Sequence, residues 1–131
     1  MKHIHKAAIL WLIIIIGMIL HFNYNVGKIF YGIDVVGENE TGQIPNSTHT
    51  IRGLFYHLPI IWILITIYIA NKFVKIGLCI LSFVYTIAHA MHLFGEYMKP
   101  ERDISQLSLL FLVLIVSFLL NYEYYKSINE K

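Results

Sequence analysis

Apolar residues in this chain come in four nearly unbroken runs separated by polar stretches. The first covers 7–22, carries no charge and meets its first polar side chain, apart from the Trp11 indole, at His21; the others cover 53–70, 76–95 and 104–121. A helix at the surface of a soluble domain returns polar residues every three or four positions, and a half-buried strand alternates. These runs do neither. Each is close to the ~20 residues that carry a helix across a hydrocarbon core of about 30 Å. The β-branched stretch Ile13-Ile14-Ile15-Ile16 would favour a strand in water, but in lipid an open chain satisfies its backbone hydrogen bonds only as helix. The alternating polarity of a membrane barrel is absent. The expected fold class is therefore all-α: a four-helix transmembrane bundle, one polytopic domain over 1–131, with a long extracytoplasmic loop between helices 1 and 2.

Met1-Lys2-His3-Ile4-His5-Lys6 is also a charged start of the kind that precedes a secretory leader. No small-x-small cleavage site follows Leu20, where the chain continues His21-Phe22-Asn23-Tyr24-Asn25, so the first run is read as a span. With four spans both termini fall on one side. Lys2, Lys6, Lys72, Lys75, Lys126 and Lys131 lie on that side; Lys28, Arg52, Lys99 and Arg102 lie on the other, among Asp34, Glu38, Glu40, Glu96, Glu101 and Asp103. The basic bias places the termini in the cytoplasm, with a bacterial inner membrane as the expected location. Tyr24, Tyr31, Tyr56 and Tyr97 on one side and Tyr122, Tyr124 and Tyr125 on the other match interfacial aromatic belts.

The connection from about Asn23 to Arg52 is too long for a helical hairpin and holds Gly27, Gly32, Gly37, Gly42 and Pro45. Its start can extend helix 1, because His21, Tyr24, Asn25 and Lys28 keep helical spacing. Its end, Pro45-Asn46-Ser47-Thr48, reads as the start of helix 2 with Asn46 or Ser47 as cap. Phe30, Tyr31 and Ile33 interrupt the polar segment and are expected to lie against the membrane face as a lid over the histidines described next. Asn39-Glu40-Thr41 and Asn46-Ser47-Thr48 match the glycosylation sequon by chance. Pro59 removes a backbone donor inside the second run and predicts a bend there.

Composition narrows the chemistry. Hydrophobic residues make up 57% of the chain and charged ones 14%, far from a soluble fold, and a net charge of +2 with no basic stripe carries no nucleic-acid signature. Cys79, the single cysteine, lies within the third run and reads as a packing residue. No nucleophile motif, glycine-rich phosphate loop or Cys-x-x-Cys is present.

The histidines are the informative polar residues. His21 ends span 1, His57 begins span 2, and His89 and His92 lie toward the end of span 3, so alternating helix directions bring all four to one depth. At 100° per residue His89 and Glu96 differ by about 20° and His92 lies about 60° from His89; Ser82 and Tyr85 continue the same stripe inward. Gly17, His21, Asn25 and Lys28 share a face of span 1, and Thr50, Gly53 and His57 a face of span 2. Asp103, Ser105, Gln106 and Ser108 stand at that level on span 4. Lipid penalises such stripes, so they are expected to face the bundle interior or a water-filled vestibule.

Three chemistries fit that layer. Its histidines can simply hydrogen-bond helix to helix. They can bind a transition metal ion or a haem, with His21, His57, His89, His92 and Glu96 as the ligand candidates; His89-x-x-His92 puts two imidazoles within reach of one ion, though no second Glu-x-x-His completes a di-metal site. Or a histidine paired with Glu96 or Asp103 can move protons in a membrane-embedded enzyme or transporter. His3 and His5 belong to the tail, and His49 points away from His57 on an unbroken helix. The expected partners are the lipid bilayer and either other membrane subunits or a second copy of the chain. So little mass outside the spans also suits an accessory subunit of a larger membrane complex, and leans away from independent catalysis.

Overall fold

The computed structural model describes residues 1–35, 42–69, 71–100 and 102–130; Gly37, Glu38, Glu101, Lys131 and the Asn39-Glu40-Thr41 sequon lie outside them. Helix is the only regular structure among the described residues. In chain order these are α1 (His3–Gly27), a 3-10 turn (Lys28–Tyr31), α2 (Asn46–Arg52), a π-helical turn (Gly53–His57), α3 (Leu58–Tyr68), α4 (Lys72–Tyr97) and α5 (Ile104–Asn129). The stretch from α2 through α3 is continuous, so four rods result, each long and apolar enough to cross a bilayer.

The rods outrun the apolar stretches that reveal them. α1 begins at His3 and its helical turns continue through Tyr31, while α5 passes Asn121 to reach Asn129. Hydropathy marks where side chains are apolar; backbone bonding continues into polar flanks until something stops it. At the starts of α4 and α5 the signal is a side-chain cap. Asn71 Oδ1 accepts from the Val74 amide at 2.9 Å, and Asp103 Oδ1 from the Ser105 and Gln106 amides at 3.0 and 3.2 Å. α2 does begin at Asn46, but neither Asn46 nor Ser47 caps it: the preceding residue is Pro45, whose side chain makes no cap bond.

Packing follows a heptad-like rhythm. The buried positions of α1 include Ile4, Ala7, Trp11, Ile14 and Met18, and those of α5 include Gln106, Leu110, Val113, Ser117, Leu120 and Tyr124. Spacings of three and four put each set on one stripe, as antiparallel helices require. α5 packs along both α1 and α4, and α3 lies against α1. At Gly17 α1 lies tight against α5: a methyl group there would overlap Val113 Cγ2, so a small residue lets the two helices come together.

His3 Nδ1 sits 2.5 Å from Glu123 Oε2, joining the start of α1 to the end of α5, so both chain ends lie at one end of the bundle. This is the terminal end of the bundle; the opposite one, with the α1–α2 connection, is the loop end.

Candidate functional site

Three of the five residues singled out by the sequence meet at the loop end. His21 on α1 and His92 and Glu96 on α4 each offer a ligand atom, and those atoms all lie within 4.8 Å of one another. The two imidazoles pack edge to face with centroids 4.8 Å apart. His92 Nε2 stands 3.9 Å from Glu96 Oε1, the i, i+4 contact expected on one helix face. All three side chains are half-buried. They come from two helices that both pack against α5.

His89 lies one turn deeper and is almost fully enclosed, with 1% exposure. Its ring is bounded by Phe55 at 5.6 Å and Tyr85 at 6.4 Å between centroids, and neither ring nitrogen has a hydrogen-bond partner. His21 Nδ1 and the side-chain Nε2 of the enclosed Gln106 are likewise without partner. Burying a polar atom unpaired costs about 1–3 kcal/mol, so their concentration at one end of the bundle is a chemical feature of that end.

His57 stands apart from this group. It is exposed and lines a shallow groove with Phe22, Arg52 and Tyr56. The cause is the π turn: Pro59 has no N–H to give to the turn before it, and the Leu58 amide reaches back five residues to the Gly53 carbonyl. The bend expected at Pro59 thus takes the form of a widened turn with one extra residue. Phe55, not His57, is the residue of that turn that faces His89 and His92, and the Leu54 carbonyl accepts from the Tyr85 hydroxyl at 2.5 Å. Thr50 bonds back to the Asn46 carbonyl of its own helix.

Lys99 is the residue the sequence reading passed over. Its ammonium, just past the end of α4, lies 2.6 Å from Glu96 Oε1. The i, i+3 spacing from Glu96 was the available signal. Of the level on span 4, Gln106 faces the interior, Ser105 and Ser108 are exposed, and Asp103 is engaged as the cap of α5. Phe30, Tyr31 and Ile33 do not cover the histidines: they line a separate cavity beside the start of α5, with Phe30 and Tyr31 largely exposed.

Comparison with known proteins adds no relative: no family model matches the chain, and neither a curated protein nor a solved structure does so at a significant level.

Proposed function

We propose that this chain is an integral membrane protein that spans the bilayer four times, with its ends in the cytoplasm, and holds one divalent transition metal ion at the loop end through His21, His92 and Glu96. The observation that carries the metal reading is the convergence of two imidazoles and a carboxylate from two helices within 4.8 Å. Tetrahedral zinc with bonds of about 2.0–2.1 Å sets donor atoms roughly 3.3 Å apart, so closing the site takes side-chain rotations of an ångström or two. Half-buried rotamers allow that without moving a helix. Two histidines and one carboxylate leave a fourth position for water, the donor set of an open, reactive centre. Lys99 holds Glu96 in place of an ion and has to swing away, which its exposure permits.

A haem fits the same residues poorly. Two axial imidazoles point their nitrogens at one iron from opposite faces of a flat ring, whereas His21 and His92 pack edge to face at 4.8 Å with no width between them for a macrocycle.

Elemental analysis of the detergent-extracted protein tests the reading. It is expected to hold close to one equivalent of zinc, copper or iron per chain after zinc-free or metal-supplemented washes are compared, and His92→Ala is expected to lose it while still melting cooperatively. Absence of any metal, together with no visible absorption change on adding cobalt(II), sinks it. The membrane part is tested separately: the chain should resist extraction by alkaline carbonate, and a fluorescent reporter fused after Lys131 should be bright on the cytoplasmic side.

One observation favours a second reading, proton transfer. His89 presents two unpartnered nitrogens between Tyr85 and His92, so an inward route for a proton from Glu96 would run along the buried face of α4. Proteoliposomes that carry no proton current above lipid controls would dismiss it.

A further inference from the structure

Beside the start of α5 lies a cavity of about 630 Å³ that the histidine site does not use. Two cationic residues line it, Lys28 from the 3-10 turn after α1 and Arg102 from the α4–α5 connection, together with Tyr24, Tyr31 and Ser105. Asp103 is also in the wall, but its carboxylate already accepts the Ser105 and Gln106 amides, which turns its charge toward the helix end. A second hollow, about 490 Å³ and almost wholly apolar, runs between α4 and α5 past Ala90, Leu93, Phe94, Leu107 and Phe111 up to Tyr97. Arg102 joins the two: it lines the first cavity, and its guanidinium sits 4.5 Å from the centre of the Tyr97 ring that closes the second.

A cationic, hydroxyl-bearing pocket linked at its rim, through the Arg102–Tyr97 contact, to a separate apolar groove between α4 and α5 matches one kind of ligand, an anionic amphiphile whose headgroup and chain occupy the two hollows. We infer that the loop end binds an anionic phospholipid, with its phosphate between Lys28 and Arg102 and one acyl chain in the groove between α4 and α5. Charge complementarity chooses the anionic headgroup, because a choline or ethanolamine group would bring a further cation to Lys28 and Arg102. The exposed rings of Phe30 and Tyr31 sit where interfacial aromatics meet headgroups. Lipid at this place would bridge the α1 end to the α4–α5 connection. The inference rests on the membrane reading above but not on the metal.

The test is native mass spectrometry of the full chain in detergent, delipidated and then offered equal amounts of phosphatidylglycerol and phosphatidylcholine. The expected result is retention of phosphatidylglycerol over phosphatidylcholine, with affinity falling about 5-fold for each cation removed in Lys28→Gln and Arg102→Gln. Ala90→Trp, which fills the groove without touching a charge, should weaken both lipids. Circular dichroism melts confirm that each variant folds. Equal retention of the two lipids by the unaltered chain overturns the inference. So does displacement of phosphatidylglycerol by millimolar inorganic phosphate with no effect of Ala90→Trp, which would assign the cavity to a free anion. A lipid-free dimer broken by Ala90→Trp would assign the groove to a second copy. Failure of the membrane reading looks different: the chain would then stay in solution without detergent.

Discussion

The two ends of the bundle treat their buried polar groups in opposite ways. Toward the terminal end nearly every such group is paired. Trp11 Nε1 donates to the Tyr124 hydroxyl at 2.8 Å, Thr66 shares that hydroxyl at 2.6 Å, Asn121 donates to Thr86 at 2.9 Å, and the Lys75 ammonium reaches the Ser127 carbonyl at 3.0 Å. Three helices are tied at Tyr124 alone. Among the described residues, Asn121 Oδ1 is the enclosed atom there that lacks a partner. At the loop end His21 Nδ1, both nitrogens of His89 and Gln106 Nε2 lack one; Tyr85 and Asp103 are paired there with the Leu54 carbonyl and the first amides of α5, and Glu96 pairs with His92 and the exposed Lys99. One end spends its polarity on holding helices together; the other keeps donors and acceptors available. A bundle needs only the first for stability, so the second is where a ligand is expected.

Substitutions at the two ends should therefore separate binding from stability. The largest effect is expected for His21→Ala combined with His92→Ala: two of three proposed ligands are lost, and metal bound per chain should fall by more than 100-fold while the melting temperature moves little. A large loss of stability with metal content unchanged would reverse the comparison and make the loop end structural.

Next comes the helix contact. Gly17→Ala puts a methyl group onto Val113 Cγ2 and should cost roughly 1–3 kcal/mol in reversible unfolding, as overpacking does. Val113→Ala in the same chain should recover most of it. An unchanged unfolding midpoint would mean that α1 and α5 do not approach as described.

Tyr124→Phe removes the hydroxyl that Trp11 and Thr66 share and leaves both without it. Hydrogen bonds between membrane helices are worth only about 0.6 kcal/mol on average, so roughly 1 kcal/mol is expected, with metal content unaltered. A loss of metal here would show that the ends are coupled.

The smallest effect separates Lys99 from the ligands. An exposed ion pair contributes about 0–1 kcal/mol, so Lys99→Ala should tighten metal binding by at most ~5-fold by freeing Glu96, and His57→Ala should leave it unchanged. Weaker binding after Lys99→Ala would mean that the lysine supports the site instead of competing for it.

Much of this was present in the residue order. Four runs without charge, each long enough for a membrane span and none alternating in polarity, point to four helices, and four long apolar rods form. An even number of rods returns the chain to its starting end, as the His3–Glu123 contact bears out for the bundle. The phase of α4 is equally local: at 100° per residue Ser82, Tyr85, His89 and His92 share a face whichever helices lie beside it. What the order of residues does not contain is the rotation of one helix against another. His21 and His57 stand at similar depth by counting, yet only His21 reaches His92, because α1 turns its Gly17 face to Val113 and carries His21 round with it. On the second rod the single extra residue of the π turn offsets the residues before Pro59 from the phase of an unbroken α-helix by about 100°, and Phe55, not His57, faces the histidine layer. Periodicity within a helix is a property of the chain; contact between helices is decided by which small residue permits the closest approach and where a missing N–H widens a turn, and those are settled only when the rods pack.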